Sequence, residues 1–255
     1  MRVAPLALVL GLAAGAAAGQ QAAVYRASGA DARLFDQYDN DGFSLEVAAD
    51  EAGSVELRVR VSDSPLASAA PFPPLARVEP APPAAPDRDA FARKLSAGSL
   101  RESEAVRRIL IGLVSRITYD PDRLRRQDPA AVFASGRAYC VGFAELAVDL
   151  LRRVGISART VQGILRSDPD ADGYEAAIGG VYHRWIEVYY PDRGYVFSDP
   201  SSSVNGVDAR YIPFSRRALT RPRALLLSGV SSSGQLAYRT VRAGAHAVLV
   251  RATTP

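Results

Sequence analysis

An α+β domain in which a helix packs on an antiparallel β-sheet is the fold class that this sequence predicts, and three observations predict it. Apolar residues recur at helical spacing from Val106 to Ile117 and again from Phe143 to Val154. Strand-like runs then follow, from Ala158 to Leu165, Val181 to Tyr190 and Tyr195 to Phe197. Near the N-terminus, two further runs alternate apolar and polar residues in the manner of a hairpin with one buried face. With 255 residues, 48% of them hydrophobic, the chain is long enough for one sizeable core and accessory parts.

Taken in order, Arg2 precedes an apolar run from Val3 to Ala13, and small residues continue through Gly19. This is the pattern of a secretory signal peptide over residues 1–19, so the mature chain is expected to be secreted or periplasmic. No later run approaches the roughly 18 apolar residues of a membrane span, so no integral membrane segment is expected after the leader is removed. Residues 20–64 are expected as an N-terminal β segment: Phe43, Leu45 and Val47 alternate, a Gly53-Ser54 turn follows, and Val55, Leu57, Val59 and Val61 alternate again. A proline-rich linker over residues 65–87 should run extended and semi-rigid, and it marks a boundary. The main domain spans 88–214. Ser99 and Glu102 have the spacing of a capping box before its first helix. Its second helix begins near Cys140 and stops at Gly155, the residue best able to take a left-handed cap. Residues 215–255, with short runs at Ala224–Leu227, Leu236–Val241 and His246–Val250, are expected as a C-terminal β extension.

The net charge of +4 and pI near 9.4 come from arginine, Lys94 being the only lysine. The arginine runs at 123–126, 152–153 and 216–217 lack interleaved aromatics that could stack on bases, which argues against a nucleic-acid partner. Cys140 is the single cysteine, so the chain can form no internal disulfide. A lone thiol in an exported chain asks for a chemical explanation.

Chemistry supplies one. A cysteine attacks carbonyl groups as the thiolate, and the first turn of a helix lowers a thiol pKa through its N–H groups and dipole. The thiolate needs a proton acceptor, for which the chain has two histidines. His183 shares its strand side with Trp185 and Glu187, whereas His246 shares its side with Val248 and Val250, so His183 is the candidate base. Asp199 opens the turn after the following strand and is the candidate group to orient the imidazole.

The segments Ser135-Gly136-Arg137-Ala138-Tyr139-Cys140-Val141-Gly142-Phe143-Ala144, Tyr182-His183-Arg184-Trp185-Ile186-Glu187-Val188 and Ser198-Asp199-Pro200-Ser201 resemble, in order and approximate separation, the three motifs of the transglutaminase-like superfamily. The resemblance covers about Arg101 to Phe214. It implies a papain-like core with Cys140, His183 and Asp199 as catalytic residues. It implies no cofactor, and an oxyanion site built from the Cys140 N–H, with Tyr119 either the second donor or an ordinary core tyrosine. Trp185 and Tyr139, inside the motifs, are candidate substrate-cleft residues. Ala138 stands where the family usually has glycine, Ser201 where it often has threonine, and Tyr195 where it often has tryptophan; none of these removes a reactive group. The implied activity is acyl transfer on a protein or peptide substrate through a thioester. Hydrolysis is the expected outcome, with protein cross-linking and a non-catalytic envelope-binding module as the alternatives.

Two acidic loops partly mimic a calcium loop. Asp168, Asp170, Asp172 and Gly173 fit its first half, but Gly179 stands where a bidentate Glu is needed. Around Asp39, Asp41 and Gly42, Gln37 and Ala48 occupy the first and twelfth positions. Ordinary turns, and no metal, are expected at both. Glu145, on the second helix, is expected as a solvated or ion-paired surface group.

Overall fold

The computed structural model describes residues 19–49, 54–76, 79–166, 180–217, 225–228 and 234–253. The signal peptide, the Gly53 turn and the acidic loop from Asp168 to Gly179 therefore lie outside the described residues. In chain order the elements are β1 (Gln20–Ser28), β2 (Tyr38–Asn40), β3 (Phe43–Ala49), β4 (Val55–Ser62), α1 (Pro86–Ser96), α2 (Glu102–Arg116), β5 (Thr118–Tyr119), α3 (Pro129–Ser135), β6 (Arg137–Ala138), α4 (Cys140–Arg153), β7 (Ala158–Arg166), β8 (Gly180–Tyr190), β9 (Gly194–Ser198), β10 (Ser203–Val204), β11 (Tyr211–Pro213), β12 (Leu226–Ser228), β13 (Arg239–Ala243) and β14 (His246–Val250).

They stack in three layers. The middle layer is an antiparallel sheet of order β11-β7-β8-β9. One face of it carries Ile186, Val188 and Tyr190, which pack with Phe143, Leu146, Leu150 and Leu151 of α4 and with Ile109, Leu110 and Leu113 of α2. The other face carries Trp185, Phe197 and Ile212, which pack with Tyr25, Leu45 and Leu57 of an outer antiparallel sheet, β12-β1-β4-β3-β2. Because β8 is covered on both sides, apolar side chains stand on both of its faces, Trp185 on one and Ile186 and Val188 on the other. Full burial of each large apolar side chain in these layers contributes about 1.5–3 kcal/mol.

The expected hairpin is β3 and β4, with Leu45 opposite Val59 and Val47 opposite Leu57. The expected helix from Cys140 is α4. It ends as anticipated at Gly155, whose φ of 89° is left-handed, with the Ile156 N–H closing back on the Leu151 carbonyl at 3.0 Å.

Two expectations are corrected. The Ser99–Glu102 capping box does not form: Arg101 is the N-cap and makes no side-chain cap bond, and the Glu102 N–H donates to the Ala70 carbonyl at 2.9 Å. The segment before α1 docks over the helix start and takes the place of the box. That segment is also no free spacer. Leu66 is fully buried and pairs with Thr253, Ser68 and Ala69 bond to the Asp192 carboxylate, and the Phe72 N–H donates to the Leu100 carbonyl at 2.9 Å. The C-terminal runs at 226–228, 239–243 and 246–250 are strands and divide between two sheets. β12 pairs with β1 in the outer sheet, while the β13–β14 hairpin joins β10 and packs on α2.

Candidate active site

Five elements, β5, β6, α4, β8 and β9, bring the predicted residues together. β5 and β6 pair in parallel, Tyr119 beside Ala138, so the segment entering α4 is held next to Tyr119. Cys140 is the first residue of α4, behind the extended N-cap Tyr139. In the middle sheet β9 ends opposite Ile186, with Ser198 as its partner. The neighbouring stretch of β8 at His183 and Arg184 thus has no β9 partner, and the start of α4 reaches it. The Cys140 thiol lies beside the His183 side chain and the Arg184 backbone, near enough for both to stabilise its ionised form.

After β9 the chain turns sharply, the Asp199 N–H donating to the Ser203 carbonyl at 2.9 Å, and this turn aims the carboxylate back at β8. His183 Nε2 lies 2.6 Å from Asp199 Oδ2. With Nε2 so engaged, Nδ1 is the ring nitrogen left for the sulfur. Asp199 is fully satisfied: Oδ1 accepts from the Ser201 N–H at 2.8 Å and the Ser201 hydroxyl at 2.6 Å, and Oδ2 also accepts from the Tyr211 hydroxyl at 2.7 Å. The imidazole lies nearly parallel to Trp185, 6.1 Å between centroids, and edge-on to Tyr211 at 5.8 Å.

The electrostatics follow from this packing. Burial alone would raise the Cys140 thiol, but the hydrogen bond and charge of His183 and the Arg184 backbone bond outweigh it, against a smaller upward push from Asp199; the net pKa lies below the ordinary thiol value. Burial would lower His183, yet the charge and hydrogen bond of Asp199 and the bond to Cys140 raise it to about 10. Burial likewise pushes Asp199 up, and the His183 cation with the Ser201 bonds overrides it, holding the carboxylate well below its usual range. The arrangement therefore favours a thiolate–imidazolium pair steadied by an ionised carboxylate.

A cleft of about 280 Å³ opens onto the sulfur and imidazole, lined also by Tyr119, Tyr139, Tyr182, Arg123 and Arg184. Tyr139 is thus where the sequence placed it. Tyr119 is 51% exposed, with its ring stacked on Phe143, and so is no core tyrosine. Trp185 is corrected: it is fully buried beneath the imidazole and does not line the cleft. Glu145 accepts from Arg184 Nη1 at 2.7 Å, in keeping with its expected ion-paired role. Tyr211 went unnoticed in the sequence, where a tyrosine before Ile212-Pro213 carries no motif, and only the three-strand neighbourhood reveals it. Asp41, in the second acidic loop, is held by Arg193 and Arg251 rather than left open for a cation. Among the described residues no group of His, Cys, Asp and Glu side chains is arranged to hold a metal ion, and no helix is long and apolar enough to cross a membrane.

Comparison with known proteins gives the following similarities. Residues 89–200 match the family model described as the transglutaminase-like superfamily. The protein YebA of Bacillus subtilis (strain 168), itself uncharacterized, is 34% identical over 77 residues, which cover 28% of this chain and 10% of YebA. Among solved structures, a candidate cysteine protease from Cytophaga hutchinsonii is similar with a TM-score of 0.41 and 13% identity, covering 84% of this chain and 86% of that one. The periplasmic domain of TgpA from Pseudomonas aeruginosa is similar with a TM-score of 0.39 and 14% identity, covering 72% of this chain and 87% of that domain.

Proposed function

Residues 89–200 belong to the transglutaminase-like superfamily, and from that premise we propose that the protein is an exported thiol acyl-transfer enzyme acting on amide or isopeptide bonds of a protein or peptide. The observation that carries the reading is the convergence of Cys140 and His183 on one cleft, with the His183 ring hydrogen-bonded from behind by the buried Asp199. Export rests on the leader-like first residues.

In this reading the Cys140 thiolate attacks the carbonyl carbon of the scissile bond. The negative charge that develops on the carbonyl oxygen is met by the Cys140 N–H, one of the first-turn donors without an intrahelical partner. The Tyr119 hydroxyl is the second donor. Collapse of the tetrahedral intermediate breaks the C–N bond, and the His183 imidazolium gives its proton to the departing amine. A thioester remains on Cys140. Neutral His183 then takes a proton from water, the hydroxide equivalent attacks the thioester, and the acid leaves as the thiolate and imidazolium are restored. A primary amine in place of water would give cross-linking by the same steps; hydrolysis is preferred because nothing in the sequence marks an amine-binding site. Asp199 keeps Nε2 as the protonated ring nitrogen, so that Nδ1 faces the sulfur.

Alkylation by iodoacetamide tests the reading without a known substrate. Cys140 should react faster below pH 7 than a free thiol of ordinary pKa, and His183→Ala should abolish the advantage. Ordinary free-thiol behaviour in the wild-type protein would instead favour a non-catalytic envelope-binding module.

A further inference from the structure

The tyrosine hydroxyls of this fold end on different kinds of acceptor. Tyr25 donates to the Ala209 carbonyl and Tyr38 to the Phe214 carbonyl, which are the ordinary destinations of a core phenol. Tyr211 differs: its hydroxyl ends 2.7 Å from Asp199 Oδ2, the oxygen that also binds His183 Nε2. Resting on the acyl-transfer reading above, we propose that Tyr211 is a positioning residue, fixing the Asp199 carboxylate so that the imidazole stays aimed at Cys140.

The proton inventory fixes the direction of the chain. An ionised carboxylate only accepts, so the single phenol proton points at Asp199. The Ser202 hydroxyl, 3.2 Å from the phenol oxygen, must then donate to Tyr211. The sequence runs from Ser202 to Tyr211 to Asp199, and meets the His183 N–H at the same carboxylate oxygen. Burial, followed by the nearby Asp199 charge, pushes the phenol well above its ordinary value, so it remains a donor at every working pH.

Geometry explains how a residue on the far edge strand reaches the site. β11 is separated from β8 by β7, and Gly163 of β7 lies in register with both Pro213 and His183. A side chain at Gly163 would run into the Ile212 carbonyl and the Trp185 ring. Its absence lets Trp185 fill the gap, and Tyr211 stands edge-on to Trp185 at 5.3 Å and to His183 at 5.8 Å. The phenol is 4% exposed, so no water competes freely for the carboxylate.

Removing only the hydroxyl loosens the aim. A carboxylate turns readily about its last torsion, and without the phenol only Ser201 and the imidazole itself would restrain it. A carboxylate that wanders supports the imidazolium less well, and a weaker imidazolium gives the thiolate less support, moving thiolate formation to higher pH.

The test compares wild type with Tyr211→Phe, which keeps the ring. Rates of Cys140 alkylation by iodoacetamide are measured from pH 5 to 10, with ¹⁵N-histidine spectra following the ring nitrogens of His183. The expected result is an acid limb displaced upward by about half to one pH unit. That corresponds to a fall of about three- to tenfold near pH 5.5 with little change near pH 10. The His183 Nε2–H signal should move while that of His246 does not. A Tyr211→Phe profile and spectrum that coincide with wild type overturn the proposal. Absence of any low-pH advantage in the wild type would overturn the acyl-transfer reading instead, so the two failures are distinguishable. Should Tyr211→Phe fail to fold, Ser202→Ala takes its place; it removes the donor that orients the phenol and should give a smaller shift of the same sign, and no shift there also overturns the proposal.

Discussion

Replacing Asp199 by asparagine is the most incisive perturbation of this site, because the hydrogen bonds dictate what the new side chain must do. The Ser201 backbone N–H, 2.8 Å from Oδ1, is a donor that cannot reverse, so the amide oxygen takes that position. The amide NH₂ then faces His183 and Tyr211, where Oδ2 had accepted at 2.6 and 2.7 Å. The phenol can rotate and accept. The imidazole cannot keep a proton on Nε2 against another N–H donor, so it shifts to the tautomer with its proton on Nδ1, pointing at the sulfur. A neutral ring in that form has no lone pair to take the thiol proton. Burial lowers His183, and the charge and hydrogen bond of Asp199 lead the causes that raise it to about 10, so losing the carboxylate lowers the imidazole pKa. Each pH unit of that fall withdraws about 1.4 kcal/mol from the thiolate–imidazolium pair. Iodoacetamide reactivity at pH 6 should therefore drop at least tenfold, while circular dichroism is unchanged. Turnover of an amide substrate should fall on the order of a thousandfold to ten-thousandfold, as in the serine-protease triad where the same exchange traps the wrong tautomer. A wild-type alkylation rate at pH 6 in Asp199→Asn would refute this reasoning.

Two further outcomes follow from packing and charge. Gly163→Ala forces a methyl group into the Ile212 carbonyl and the Trp185 ring. It should destabilise the protein by about 1–3 kcal/mol in urea unfolding and, by shifting Trp185 beneath the imidazole, also reduce low-pH alkylation. Glu102 is 3% exposed, and burial, then the Asp192 charge, raises its pKa from 4.5 to about 7. A raised carboxyl contributes stability below pH 4.5 that is lost as pH climbs through 7, so Glu102→Gln should raise the melting temperature at pH 8, by about 1–2 kcal/mol of stability, and give no gain at pH 4.5.

The parts of this protein that were legible in its sequence are those whose signal is local. α4 announces itself through a 3.6-residue stripe and a terminal glycine, and the β3–β4 hairpin through strict alternation. Cys140, His183 and Asp199 were found because each has a chemical reason to sit at a helix start, on a strand and in a turn. β1 was missed because its buried positions are Ala23, Tyr25 and Ala27, too small on average to show alternation. α1 was missed because only Ala92 and Ser96 are buried on it, so its sequence lacks an apolar stripe. The docking of the proline-rich stretch on Asp192 and the capture of the Glu102 N–H by Ala70 are tertiary bonds, and no window of neighbouring residues contains both partners. Trp185 was misplaced for a related reason: alternation says which residues share its side of β8, but not that another sheet covers that side.

That second sheet matters to the chemistry. Residues 89–200 hold the thiol, the imidazole and the carboxylate, yet the match ends just past Asp199. The Ser201 and Tyr211 donors that saturate the carboxylate come after it. The face of β8 bearing His183 and Trp185 is buried by Tyr25, Leu45 and Leu57, which come long before it. Glu187, two residues along that face from Trp185, is fully buried and bonded to Asn40 of β2, to Arg159 of β7 and to Arg216. These bonds tie the outer sheet to the strand that carries the imidazole. A triad needs its members held to within a fraction of an ångström, and long unsupported strands do not provide that. In this protein the thiol, imidazole and carboxylate lie in the segment that matches the family model, and the rigidity that aims them is supplied by the flanking sequence on both sides.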